Sequence, residues 1–120
     1  MDRDIAERTF KFGVRIIKAS SHMPENRVGR VLGGQLLRCG TSIGANVEEA
    51  IAAYSTDDFT FKMSLALKEA RETHYWLRLL RETVIGESER LAGLLTEADE
   101  IMRILGSVVV KMRKKQKRSE

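Results

Sequence analysis

Two histidines, one cysteine and a scatter of neighbouring carboxylates are the residues of this 120-residue chain that could do acid–base, nucleophilic or metal chemistry. His22 and His74 stand far apart, and neither belongs to a His-x-x-x-His or Glu-x-x-His pair, the spacings that put ligands on one helical face. Cys39 falls on an apolar helical line, where a thiol behaves as a small hydrophobe. Glu48-Glu49 and Glu69/Glu72 supply carboxylates, but nothing in their spacing sets two across a cleft, as general acid–base catalysis requires. Ser42 has no histidine in its own segment to act as a base. The chain reads as a non-enzyme with no metal and no cofactor.

Charge and polarity are placed more systematically. Arg8, Lys11, Arg15, Lys18 and His22 recur at steps of three and four and share one helical face, a basic ridge about 20 Å long at 1.5 Å per residue. Such a ridge can follow a phosphate backbone, releasing counterions as it does so; the alternative is a solvated outer face. Asp4 lies on the same ridge. Gln35, Arg38, Ser42, Asn46 and Glu49 form a polar line beside an apolar one, which suits either a boundary network or a ligand contact. Lys111, Arg113, Lys114, Lys115, Lys117 and Arg118 make a basic C-terminal tail, either a nucleic-acid contact or a solubilising end.

The elements that must position these residues are helices. Ile5, Thr9, Phe12, Ile16, Ala19 and Met23 predict a first helix from about residue 4 to 23, ended by Pro24. A second, from about 25 to 54, carries the apolar line Val28, Leu32, Leu36, Cys39, Ile43, Val47, Ala50 and Tyr54. Ser55 with Asp58 looks like a helix cap, opening a third helix to about Ile85 with Phe59, Met63, Ala66, Ala70, Leu77 and Val84 inward. Gly86 is a plausible stop and Glu87 or Ser88 a restart. The fourth buries Leu91, Leu94, Leu95, Ala98, Met102, Leu105, Val109 and Met112. Short connections make the fold class all-α, an antiparallel up-down-up-down four-helix bundle, with residues 1–110 as the bundle and 111–120 as the tail.

Two further stripes bear on assembly. Gly29, Gly33, Gly40 and Gly44 cost helix stability, about 1 kcal/mol each, and imply close helix approach. Phe61, Leu65, Trp76 and Leu79, with Tyr75 adjoining, give the third helix a second apolar side, interrupted by a possible Lys68–Glu72 ion pair. A second apolar stripe calls for another surface to cover it, so these five residues are the expected homo-oligomer interface.

A hydrophobic content of 42% argues against disorder. No apolar run approaches the ~20 residues of a membrane span, and Met1-Asp2-Arg3-Asp4 lacks a signal-peptide pattern. One unpaired cysteine suits a reducing interior, so a cytoplasmic protein with no membrane partner is expected. A net charge of +4 mildly favours anionic partners.

The run Gln35-Leu36-Leu37-Arg38-Cys39-Gly40-Thr41-Ser42-Ile43-Gly44-Ala45-Asn46-Val47-Glu48-Glu49-Ala50 resembles the signature of a bacterial family. So do Ser55-Thr56-Asp57-Asp58-Phe59, Ala66-Leu67-Lys68-Glu69-Ala70-Arg71-Glu72-Thr73 and Tyr75-Trp76-Leu77. This is the "four helix bundle protein" family, also called 23S rRNA intervening-sequence or S23 ribosomal proteins. The resemblance implies a four-helix bundle that forms ring-shaped homopentamers, with nucleic-acid binding as the usual proposal and no assigned activity. Gln35, Arg38, Ser42, Asn46 and Glu49 are the motif residues that carry over. A related group serves as accessory subunits to retroelement reverse transcriptases. The resulting expectation is a homo-oligomeric binder of rRNA or other nucleic acid, through Arg8, Lys11, Arg15, Lys18 and the tail. The alternative is an adaptor for a protein partner.

Overall fold

The computed structural model describes residues 2–83 and 88–119, and these form helices α1 (Asp2–Ser20), α2 (Arg27–Ile51), α3 (Thr56–Glu82) and α4 (Ser88–Ser119). No strand occurs among the described residues. The molecule measures 51 × 23 × 22 Å. Each helix packs chiefly on its neighbour in sequence, with α1 also meeting α4, more sparsely. The fold is the expected all-α four-helix bundle.

Caps set the helix boundaries. The amides of Ser21 and His22 still bond back to Ile17 and Ala19, but α1 ends at Ser20, short of Met23, as the chain turns into Pro24. Asn26 takes an extended conformation and its side chain accepts from the Gly29 amide at 2.8 Å, starting α2. Ser55 caps α3 as its spacing predicts, accepting from the Asp58 amide at 3.0 Å. Val84, Ile85, Gly86 and Glu87 lie outside the described residues.

The core holds Ile5, Phe12 and Ile16 from α1, Leu36, Ile43 and Val47 from α2, Met63, Leu77 and Leu80 from α3, and Leu91, Leu94, Ile101 and Leu105 from α4. Three buried hydroxyls, Thr9, Thr60 and Thr73, donate to the carbonyls of Ile5, Thr56 and Glu69 one turn earlier, which lets them join the apolar interior. Two expected core positions are displaced. Val28 is 51% exposed because Gly29 and Gly33 occupy the inward line at the start of α2, and Tyr54 is fully exposed because it lies beyond the last turn.

The glycine stripe is where α1 lies down on α2. A Cβ on Gly40 would sit 2.8 Å from Ile16, one on Gly44 3.2 Å from the Thr9 carbonyl oxygen, and one on Gly33 3.1 Å from Met23. At Gly29 it would fall 2.0 Å from the Pro24 carbonyl oxygen. Close approach to α1 and its exit turn is thus the compensation for these residues.

Helix α4 passes through the point where its apolar period fades and continues to Ser119. Lys, Arg, Gln and Met are strong helix formers, and Lys117 and Arg118 complement the macrodipole of the last turn. Gln116 Nε2 donates to Asp57 at 2.7 Å and Arg113 to Ser64 Oγ at 3.3 Å, tying this end of α4 to α3.

Candidate functional site

Part of the basic ridge of α1 meets α4. Arg8 donates through Nε and Nη2 to both oxygens of Glu97, at 3.1 and 2.7 Å, and through Nη2 to Glu100 at 2.8 Å. The hydrogen bond from Arg8 is the chief reason the Glu97 carboxyl sits below its ordinary range, and the same bond raises Arg8. Arg15 also turns toward α4: its guanidinium would lie 3.0 Å from a Cβ at Gly93. His22 Nδ1 lies 2.7 Å from the Lys18 carbonyl oxygen and 3.4 Å from Arg90. Lys11 and Lys18 are exposed and, among the described residues, form no ion pair. The ridge is thus divided, with Arg8 closing the seam and the lysines facing solvent.

The polar line of α2 forms its boundary with α3. Arg38 donates to Gln35 Oε1 at 3.4 and 3.2 Å, to Glu69 at 3.3 Å, and also to Glu72. Glu72 Oε2 in turn accepts from Trp76 Nε1 at 3.0 Å. Ser42 and Asn46 bond to carbonyls one turn back, those of Arg38 and Ser42, and Glu49 pairs with Lys62 at 3.3 Å. Glu72 therefore answers Arg38 rather than Lys68, because the guanidinium fork reaches Gln35, Glu69 and Glu72 together. Every member of the line has a bond within the subunit.

Cys39 is fully buried beneath this boundary, its thiol pushed up by burial and directed at the Leu36 carbonyl. His74 is held below its ordinary value, first by burial and then by the positive field of Arg78. Among the described residues no group of three or more His, Cys, Asp or Glu side chains could hold a metal ion.

On α3, Phe61 and Tyr75 stand exposed, while Leu65 and Leu79 are half-buried. Trp76 folds back on the core and meets Tyr75 edge-on at 5.3 Å between ring centroids. A second apolar surface escaped the sequence reading. Phe10, Val14 and Ile17 of α1 project beside Thr41 and Ala45 of α2, bordering an open groove of about 350 Å³. Its signal was the four-and-three spacing of those α1 residues, hidden beside a basic ridge on the same helix.

Lys111, Arg113, Lys114, Lys115, Lys117 and Arg118 are all exposed on the final turns of α4. Arg113 also borders one of two depressions between α3 and α4 whose cations were missed: Lys68 and Arg71 in the one, Arg78 and Arg81 in the other, spaced by three, seven and three along α3. No described helix is long and apolar enough to cross a membrane.

Comparison with known proteins follows the fold. The family model for the 23S rRNA-intervening sequence protein matches residues 1–107. A crystal structure from Bacteroides thetaiotaomicron, of a protein with unknown function from the S23 ribosomal protein family, is 39% identical. It superposes with a TM-score of 0.80, covering 88% of this chain and 97% of that one. No protein with a curated description matches. A matched model over nearly all of the bundle, and a neighbour of the same architecture at 39% identity, place this chain in the 23S rRNA-intervening sequence protein family.

Proposed function

We propose that this protein is a non-catalytic, cytoplasmic, homo-oligomeric bundle that binds nucleic acid through its phosphate backbone. The observation carrying this reading is the continuous exposure of Lys111, Arg113, Lys114, Lys115, Lys117 and Arg118 on a helix anchored to α3, an arm of fixed direction rather than a loose end. In this reading the basic arm, residues 111–120, extends the bundle of residues 1–110, and Lys11, Arg15 and Lys18 add charge from α1. Arg8 serves the fold. With few aromatic side chains near these cations, recognition is of backbone rather than base sequence.

Two exposed apolar surfaces support assembly: the α3 side with Phe61 and Tyr75, and the α1–α2 groove with Phe10, Val14 and Ile17. Two different surfaces on one subunit suit head-to-tail contacts, which close into a ring when the rotation per subunit permits. A ring would repeat each basic patch and raise avidity without new contacts. The test is mass measurement in solution on protein purified with and without nuclease. The reading expects a discrete oligomer and, without nuclease, co-purifying nucleic acid. A strict monomer at high concentration, with no retention of rRNA fragments or duplex DNA at low salt, overturns it.

A further inference from the structure

We propose that the groove between α3 and α4 is the track along which a phosphodiester strand lies, a specific assignment that rests on the nucleic-acid reading above. The proposed track joins two depressions on the α3–α4 pair, one bordered by Arg78, Arg81 and Arg103 and the other by Lys68, Arg71 and Arg113. From Lys68 to Arg81 the α3 wall runs about 20 Å.

Its carboxylates are already engaged. Asp99 accepts from Arg103 Nε at 2.9 Å, and Glu100, which also lines this face, accepts from Arg8 at 2.8 Å. Glu82 lies 3.8 Å from Arg81 at the groove's end, and Asp57, beyond the other end, is bonded by Gln116. Among the described residues Lys68, Arg71, Arg78 and Arg113 form no ion pair. Arg113 bonds to Ser64 Oγ at 3.3 Å, and Arg78 stands 5.8 Å from the Tyr75 ring centroid. A row of unneutralised cations in a groove focuses a positive potential along its axis. His74 lines the same face as Arg78 and Arg81; burial lowers it first, and the two arginines lower it further against the opposing charge of Asp99.

The shape and chemistry select a phosphate chain over an acidic protein surface. Five of the six cations are arginines, whose planar forks match phosphate oxygens in pairs. Ser64 and Thr96 also border this face, but their hydroxyls donate to the carbonyls of Thr60 and Ala92 one turn back, which leaves phosphate contacts to the cations. Leu67, Leu95 and Val109 beneath are buried, so apart from Val110 the groove offers no apolar anchor of the kind that fills the centre of a protein interface. The α1 ridge, in contrast, has Arg8 neutralised by two carboxylates. The lower end of the groove, at Arg113, continues directly into the basic arm of α4.

The experiment measures anisotropy of a labelled random-sequence single-stranded RNA, and separately of a labelled duplex DNA, on the full-length chain over a series of salt concentrations. The groove variant is Arg71→Glu with Arg78→Glu. A charge-matched control, Arg27→Glu with Arg30→Glu, alters exposed residues at the start of α2. The groove variant should lose tenfold or more in affinity for at least one probe and lower the salt slope by about two, while the control stays within about threefold. Which probe is more affected distinguishes RNA from DNA as the source of the strand. Equal losses in both variants, or no loss in the groove variant, overturn the groove assignment and leave nucleic-acid binding standing. No binding by the wild-type chain to either probe at low salt overturns both. Should circular dichroism show the double reversal to be misfolded, Arg71→Gln with Arg78→Gln takes its place, and unchanged affinity there counts against the groove.

Discussion

Arg8 and Glu97, 89 positions apart in the chain, are joined by paired hydrogen bonds of 3.1 and 2.7 Å across the α1–α4 seam. This is the least extensively packed of the helix pairs, and a forked ion pair gives it a defined geometry. The Glu97 carboxyl lies below its ordinary 4.5 because Arg8 holds it ionised. Its contribution to stability is therefore complete above that ordinary value and is lost as pH falls through the lowered one. Glu97→Gln should cost about 0.5–1 kcal/mol near neutrality, the pair being partly exposed. The gap from wild type should close as the medium is acidified. Urea unfolding across the acid range checks this, and a constant gap at all pH values contradicts it.

Glycine substitutions should divide by position. Gly40→Ala drives a methyl against Ile16 at 2.8 Å and should destabilise by about 1–3 kcal/mol despite better helix propensity. Gly34→Ala, with nothing within 4 Å, should stabilise by up to about 1 kcal/mol. Thermal or urea midpoints of the two variants should move in opposite directions.

Trp76 is the only tryptophan, so its fluorescence reports on Glu72. Arg38→Ala leaves Glu69 and Glu72 facing each other without their cation, and should cost about 1 kcal/mol while changing the emission of the indole. Arg38→Lys should restore little, since an ammonium cannot reach Gln35 and both carboxylates as a fork does. An unaltered spectrum in Arg38→Ala would mean the indole does not sense this network.

Cys39 has no exposed surface and its thiol is held in the protonated form by burial. A thiol-specific reagent should label it in denaturant and leave the native chain unmodified over the same interval. Rapid labelling of folded protein would show the α2–α3 boundary opening far more readily than the rest of the core.

The fold was legible because helical periodicity is a one-dimensional signal: Ile5, Phe12 and Ile16, or Leu91, Leu94 and Leu105, each announce a buried face without reference to any partner. The glycine stripe was equally readable, since glycine within a helix requires a reason. What could not be read was which faces meet. The α1 cations and the α4 carboxylates Glu97 and Glu100 each have a local pattern, but only their juxtaposition removes Arg8 from the solvent-facing set. For the same reason the groove cations were missed, because Arg78 and Arg103 come to line one depression only when α3 and α4 pair. Val28 and Tyr54 failed differently. Each continued a heptad-like line by arithmetic, one just before a glycine that took its inward place and the other past the end of the helix.

Because every helix lies mainly against the one before or after it in the chain, most of the native contacts close only short loops. Bundles of that kind pay little polymer entropy before contacts form, and they fold in microseconds to milliseconds. Only the closure of α1 onto α4 joins the distant ends of the chain, which makes it the natural late event on the folding route. Weakening it should hasten unfolding and leave the refolding rate nearly untouched.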